Sequence, residues 1–145
     1  MHSTPEIQDL VRSIKTAAVS YQERFGRALG VTGELAELQA ALLLGLELAP
    51  PRCPGVDAYE ETPSGRRSLQ IKSRRVLGRG YAGERIGKLG SVYPSEAVLL
   101  VLVDAGYEVI GIWEADFAKL VVHKDAARGI PVSAFIRIAR RRWAP

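Results

Sequence analysis

Apolar residues recur every three or four positions near the start of the chain. They run from Ile7 to Phe25, and Gly26 then interrupts the pattern. This spacing predicts an amphipathic helix with one apolar face. The hydroxyl residues before Pro5 suit a helix start, because a hydroxyl can cap free amides and proline is tolerated in the first turn. We expect residues 1–30 to form a helix that covers the core.

A second helix is predicted over Thr32–Leu44. Thr32 can cap its start, and Gly45 can end it in a left-handed conformation. At 100° per residue, Glu34 lies about 40° from Leu38 around the helix axis, next to the buried face. The buried stripe itself is made of leucines, at Leu35, Leu38 and Leu42.

After these helices, the alternation of apolar and polar residues predicts two hairpins. The first joins strands over 56–61 and 67–73 through a turn that contains Pro63 and Gly65. Ala97–Val103 is apolar at every position, as is typical of a central strand buried on both faces. The remaining predicted elements are a strand over 107–113, a helix over 114–124 and a last helix over 134–143. This order predicts an α/β fold, with a central mixed sheet of about four strands flanked by helices.

The composition is that of one folded domain. The chain has 145 residues, and 47% of them are hydrophobic, which is enough to form a core. We therefore expect 1–145 to be a single domain, with its core over 32–124 and a basic C-terminal helix over 133–145. The net charge of +4 suits a polyanionic partner.

A few residue types limit the chemistry. Cys53 is the only cysteine, so an intrachain disulfide and a zinc site built from cysteines are excluded. His2 and His123 are the only histidines, which argues against a histidine-rich metal site. We see no signal peptide, and the longest apolar run is too short to span a bilayer. We expect a cytoplasmic protein that does not enter a membrane.

Three short segments carry the side chains of a candidate hydrolytic site. They are the start of the second helix with Glu34, the triplet Gly55-Val56-Asp57 and the triplet Gln70-Ile71-Lys72. Carboxylates bind a hard divalent cation, and a lysine can contact a phosphate next to it. Taken without other context, Asp57 and Lys72 could equally be an ion pair on a polar strand face, and Glu34 a helix-capping residue.

This pattern resembles the PD-(D/E)xK, or restriction-endonuclease-like, nuclease superfamily. The Gly-x-Asp and Gln-x-Lys forms are similar to those of modification-dependent restriction endonucleases, and the spacing is similar to that of archaeal Holliday-junction resolvases. The resemblance covers about residues 32–122. It implies a restriction-endonuclease-like core and a metal-dependent nuclease that hydrolyses DNA phosphodiester bonds. Mg²⁺ is the implied ion, with Mn²⁺ as a substitute.

The resemblance also assigns a role to each residue of the two triplets. Asp57 would be the central metal ligand, and Gln70 stands where the family usually has an acid. The main-chain carbonyl of Ile71 would add a ligand. Lys72 would orient or activate the attacking water and stabilise the charge that develops on the phosphate.

The second helix would supply the remaining acid. Glu34 would complete the metal site, and Glu37 is the reserve candidate for that role. Gln70 brings an oxygen but no charge, so cation affinity would depend on these glutamates and on the phosphate. The basic residues downstream are expected to contact nucleic-acid phosphates, and they are Arg74, Arg75, Arg79, Arg85 and Lys88.

Two other functions are compatible with the sequence. Because Gln70 is uncharged, the domain could be a non-catalytic DNA-binding or scaffolding module that keeps the fold. The apolar first helix and the modest net charge also suit a protein-interaction domain. As partners of a nuclease we expect DNA, a second copy of the chain that would help to cut both strands, and a separate helicase or recognition subunit.

Overall fold

The computed structural model describes residues 5–78, 80–89 and 95–145. In this described part of the chain, two helices lead into a six-stranded sheet, and two shorter helices follow its fifth strand. The helices are α1 (Pro5–Phe25), α2 (Thr32–Leu44), α3 (Phe117–Val121) and α4 (Val132–Ile138). The strands are β1 (Glu47–Leu48), β2 (Ala58–Thr62), β3 (Gly65–Arg75), β4 (Ala97–Val103), β5 (Val109–Asp116) and β6 (Arg140–Trp143).

The strands of the described residues form one mixed sheet in the order β1-β2-β3-β4-β5-β6. β3 and β4 are parallel, and the other neighbouring pairs are antiparallel. The predicted α/β class with a mixed sheet is therefore confirmed. The expectation of about four strands is wrong, because the short strands β1 and β6 extend the sheet at its two edges.

Two hydrophobic cores lie on opposite faces of the sheet. Every residue of β4 is buried, because its side chains alternate between the two cores. On one face, Leu99 belongs to the same core as Ala36 of α2. On the other face, Leu100 packs in a core with Phe117 of α3 and Phe135 of α4. The central strand was predicted with its observed bounds because this double burial requires an uninterrupted apolar run.

α1 packs on α2 and on the turn between β4 and β5. Its buried residues, Val11 and Ala18, form a third small core with Leu35 and Tyr107. The predicted end of this helix at Phe25 is confirmed, whereas the hydroxyl residues proposed to cap it lie outside the described residues. None of the described helices is both long and apolar enough to cross a membrane.

α2 has the predicted length, but it starts differently. Gly45 ends it with a φ of 70°, and the Gly45 amide donates to the Ala41 carbonyl. This is the left-handed conformation that glycine adopts most easily. At the other end, Val31 occupies the cap position and Thr32 is already helical. The prediction that Thr32 caps the helix is therefore wrong.

The last third of the chain differs most from the prediction. Tyr107 has a φ of 66° in the turn, so β5 begins after it and continues through Glu114. The helix predicted over 114–124 is reduced to α3. The basic helix predicted over 133–145 is wrong, because α4 ends early and the arginine-rich segment that follows pairs with β5 as β6.

A cluster of ion pairs explains why this basic segment forms a strand. Glu114 is only 5% exposed, and it pairs with Arg67, Arg140 and Arg142. Glu60 pairs with Arg67 at 2.8 Å and with Arg142 at 2.5 Å. Burial alone would raise the pKa of Glu114, but the hydrogen bonds and charges of Arg67 and Arg142 hold it below its usual value. A buried carboxylate is stable only with such partners, and β6 brings two of them.

Candidate active site

Asp57 lies just before β2, where the regular pairing with β3 ends. Its amide donates to the Leu69 carbonyl at 2.8 Å. Its Oδ2 atom accepts a hydrogen bond from the Ile71 amide at 2.7 Å. A side-chain oxygen thus takes a place that a main-chain carbonyl would hold in a regular ladder. This bond engages one carboxylate oxygen and fixes the orientation of the Asp57 side chain.

The loop before Asp57 is held at several points. The Ala49 amide donates to the Asp57 carbonyl at 2.8 Å, and the buried Ser95 hydroxyl donates to the Gly55 carbonyl at 2.5 Å. Gly55 has a φ of 69°, which glycine adopts without the steric penalty of a side chain. The glycine and the aspartate of this motif therefore have distinct tasks, since one shapes the loop and the other presents a carboxylate.

Glu37 of α2 lies within electrostatic range of Asp57. Burial, together with the negative charges of Asp57 and Glu34, raises the pKa of Glu37 from 4.5 to about 7. Glu37 is half-buried and Glu34 is exposed. The fold thus brings Glu37 of the second helix to the aspartate that precedes β2, and Glu34 lies within electrostatic range of Glu37.

A cavity of about 360 Å³ opens beside these acids, a volume within the range of small-ligand sites. Glu37 and Asp57 both line it. Arg52 and Cys53 of the loop between β1 and β2 line it as well. The remaining lining is apolar and consists of Ala49, Pro50, Pro51, Pro54 and Val56. Two carboxylates and a guanidinium therefore share a largely apolar pocket.

Gln70 and Lys72 extend from β3 towards the face opposite α2. The strand register pairs them with Val98 and Leu100, which belong to the core under α3 and α4. A Cβ atom built on Gly87 would lie 3.6 Å from the Lys72 Nζ atom, so the ammonium group sits next to this glycine. Neither Gln70 nor Lys72 lines the acidic cavity.

Asp57 connects the acidic cavity, which it lines, with the segment of β3 that carries Gln70 and Lys72. The Ile71 amide that binds its carboxylate lies between Gln70 and Lys72 in β3. Within the described residues, no ion pair joins Lys72 to Asp57. The alternative of a simple surface ion pair between these two side chains therefore has no support in the geometry.

The oxygen donors near Asp57 are of the type that suits a hard divalent cation. Asp57 and Glu37 line one cavity, Glu34 lies within electrostatic range of Glu37, and the resemblance would add the Ile71 carbonyl and the Gln70 amide as neutral oxygens. A positive charge would relieve the repulsion that raises the pKa of Glu37. Across residues 5–78, 80–89 and 95–145, however, no group of three or more His, Cys, Asp or Glu side chains is already gathered for a metal ion. Part of the coordination would therefore have to come from neutral oxygens, water and the substrate phosphate.

One of the arginines predicted to contact phosphate serves the fold. The Arg75 guanidinium lies 4.4 Å from the centre of the Tyr107 ring. It also donates hydrogen bonds to the Ala105 carbonyl and to Gln22. These contacts tie the end of β3 to α1 and to the turn after β4, so Arg75 is already engaged.

The other described residues predicted to contact phosphate differ in how available they are. Arg74 donates to the Arg85 carbonyl at 2.5 Å and is half-buried. Arg85 donates to the Gly129 carbonyl at 2.9 Å, yet 51% of its side chain remains exposed. Lys88 is exposed, and Arg79 lies outside the described residues. Arg85 and Lys88 are the best placed of this group to reach a ligand.

Two residues near Asp57 escaped the sequence reasoning. Arg52 has a φ of 62°, and no local pattern marks an arginine for this conformation. Ser95 is buried and contacts Gly55, which lies 40 residues earlier in the chain. The proline-rich composition around Arg52 was the one available signal, and it indicated only an irregular loop.

Comparisons of the chain with protein-family models and with curated protein sequences found no match. The basis for a function is therefore the chemistry of the site.

Proposed function

We propose that this protein is a Mg²⁺-dependent nuclease that hydrolyses DNA phosphodiester bonds and has a restriction-endonuclease-like core. The observation that carries the proposal is that Asp57 and Glu37 line one cavity, with Glu34 within electrostatic range of Glu37. The resemblance assigns these acids, from separate segments of the chain, to one metal site. Their proximity in the fold supports that assignment.

The order of the elements gives further support. A helix with two glutamates precedes an antiparallel strand pair, with Asp57 before one strand and Gln70 and Lys72 in the other. A connection then leads to a parallel central strand. This agrees with the helix, strand, turn, strand, loop and strand order that the resemblance implies.

The residues of the chain would divide the work as follows. A bound Mg²⁺ or Mn²⁺ would supply a Lewis acid that polarises the phosphate and acidifies a water molecule. The Ile71 amide holds the Asp57 carboxylate in a fixed orientation and leaves its second oxygen to bind a cation. Glu37 lines the same cavity as Asp57 and would bind the ion or accept a proton from the attacking water. Lys72 would stabilise negative charge on the phosphate while water attacks phosphorus and the 3′ oxygen leaves.

A non-catalytic DNA-binding module is the second candidate function. It is favoured by the side chains of β3, since Gln70 carries no charge and Lys72 lies next to Gly87 rather than in the lining of the acidic cavity. Such a module would use the same basic surface without needing a metal ion.

Substitution of Asp57 by asparagine separates these two functions. Asparagine keeps an oxygen for the Ile71 amide, so Asp57→Asn removes the charge with little effect on the loop. Plasmid nicking and calorimetric titration with Mn²⁺ are measured for the wild type and the variant. For a nuclease, the wild type nicks DNA only with Mg²⁺ or Mn²⁺, and the variant loses both nicking and ion binding. Wild-type protein that binds DNA but neither nicks it nor takes up the ion would establish the binding module.

A further inference from the structure

Among the described residues, Arg52 is the one cation in the lining of the acidic cavity. We propose that Arg52 contacts a phosphate of the nucleic acid bound at this cavity. The inference rests on the proposed function, because it concerns the same site and the same class of substrate. It assigns to the loop between β1 and β2 a task that no sequence pattern predicts.

The charges of the cavity make such a contact necessary. Glu37 and Asp57 would repel a phosphate dianion or diester, even after a cation had balanced part of their charge. A guanidinium in the same lining offsets that repulsion. Its planar fork can donate two parallel hydrogen bonds to a phosphate, which fixes the orientation of the group as well as attracting it.

The backbone at Arg52 is held in a conformation that arginine rarely adopts. Its φ of 62° lies in the left-handed region, where a side chain meets steric resistance and glycine does not. The neighbouring backbone is anchored, because the Val56 amide donates to the Cys53 carbonyl at 3.3 Å and the Ala49 amide donates to the Asp57 carbonyl at 2.8 Å. Strain of this kind collects at functional sites, where the side chain has a task that outweighs it.

Arg52 is also available for a ligand. It is exposed, and within the part of the chain that the structure describes it forms no ion pair within 4 Å. Arg67 and Arg142, in contrast, are largely buried and paired with Glu60. A guanidinium that lines an acidic cavity without pairing to its carboxylates is positioned for an external anion.

This assignment also complements the position of Lys72. The Lys72 ammonium lies on the face of β3 opposite α2, beside Gly87. Arg52 supplies positive charge from the cavity itself. The two cations therefore lie on different parts of the site, with Arg52 in the lining of the cavity that Asp57 also lines.

The substitution Arg52→Gly tests this inference, because it removes the guanidinium and also relieves the backbone strain. The variants are Arg52→Gly, Arg52→Lys as a conservative replacement, and Arg137→Ala as a control. Arg137 is exposed on α4, towards the opposite edge of the sheet, so its removal changes the net charge equally. Each protein is measured for Tm, for Mn²⁺ affinity without DNA, for plasmid nicking and for duplex binding at several salt concentrations.

We expect Arg52→Gly to keep or raise Tm and to keep Mn²⁺ affinity, while nicking at limiting DNA falls at least about tenfold. The slope of log affinity against log salt should flatten by about one, which is the loss of one phosphate contact. Arg52→Lys should recover part of the nicking, and Arg137→Ala should match the wild type in nicking. Wild-type nicking and an unchanged salt slope in Arg52→Gly would overturn the inference. If instead the wild type never nicks DNA, the proposed catalysis fails, and the salt slope of Arg52→Gly still decides whether Arg52 contacts phosphate.

Discussion

Replacement of Glu37 by glutamine tests the acid cluster while keeping its shape. In the folded protein Glu37 holds its proton up to a pKa of about 7, whereas in the unfolded chain it loses the proton near 4.5. The folded chain therefore binds more protons between these two values. Its stability falls as the pH rises through this window, and the full loss is present above pH 7.

The size of the effect follows from the difference between the two pKa values. A rise from 4.5 to about 7 corresponds to roughly 3 kcal/mol at 25 °C. Because the Glu37 side chain is partly exposed, solvent screening reduces this figure, and we expect about 2 kcal/mol. Glu37→Gln should therefore be about 2 kcal/mol more stable than the wild type at pH 8, which is roughly 4–8 °C in Tm. At pH 4 the two proteins should be equally stable.

Urea unfolding at both pH values measures this difference directly. Glu23→Gln is the matched control, because Glu23 is exposed on α1 and far from the cluster in the chain. Adding Mg²⁺ at pH 8 should stabilise the wild type more than Glu37→Gln, since only the wild type then gains a carboxylate ligand. A gain in stability that is the same at pH 4 and pH 8 would show that the acids do not interact, and the reasoning behind the site would be refuted.

Three further substitutions test other parts of the molecule. Lys72→Ala should lower plasmid nicking by about 10²–10³-fold. It should leave the circular dichroism spectrum unchanged, because the lysine sits on a polar strand face. Undiminished nicking would remove Lys72 from the site. Glu114→Gln should lower the free energy of unfolding in urea by about 3 kcal/mol, because Arg67 and Arg142 lose the Glu114 carboxylate and are left with that of Glu60. A loss below about 1 kcal/mol would contradict the cluster. The double change Arg85→Ala and Lys88→Ala should flatten the salt dependence of DNA binding by about two, and an unchanged slope would move the binding surface elsewhere.

The sequence was sufficient where a local signal and the tertiary environment agree. The apolar run of Ala97–Val103 is a strand because both of its faces are buried, and Gly45 ends α2 because the backbone there is left-handed. The same agreement applies to part of the candidate site. Asp57 and Ile71 meet because they are close in the hairpin, and short-range pairing is what alternation predicts best.

The misses have a common cause, which is a partner distant in the chain. Arg142 lies in a segment whose composition is compatible with a helix, but Glu60 and Glu114 lie on β2 and β5 and draw it into a strand. The role of Lys72 stays a prediction; its ammonium lies next to Gly87, which comes from the segment between β3 and β4. No sequence pattern pointed to Arg52, because its significance lies in a backbone angle that composition does not encode.

The position of β6 has a consequence for the order in which the sheet can assemble. Of the three arginines that pair with Glu114 among the described residues, Arg140 and Arg142 come from this strand, 26 and 28 residues further along the chain. A sheet that closed over β2–β5 first would hold this carboxylate with a single arginine beside it. Docking of β6 therefore completes the charge balance, and local fraying of this short edge strand should weaken the strands next to it as well.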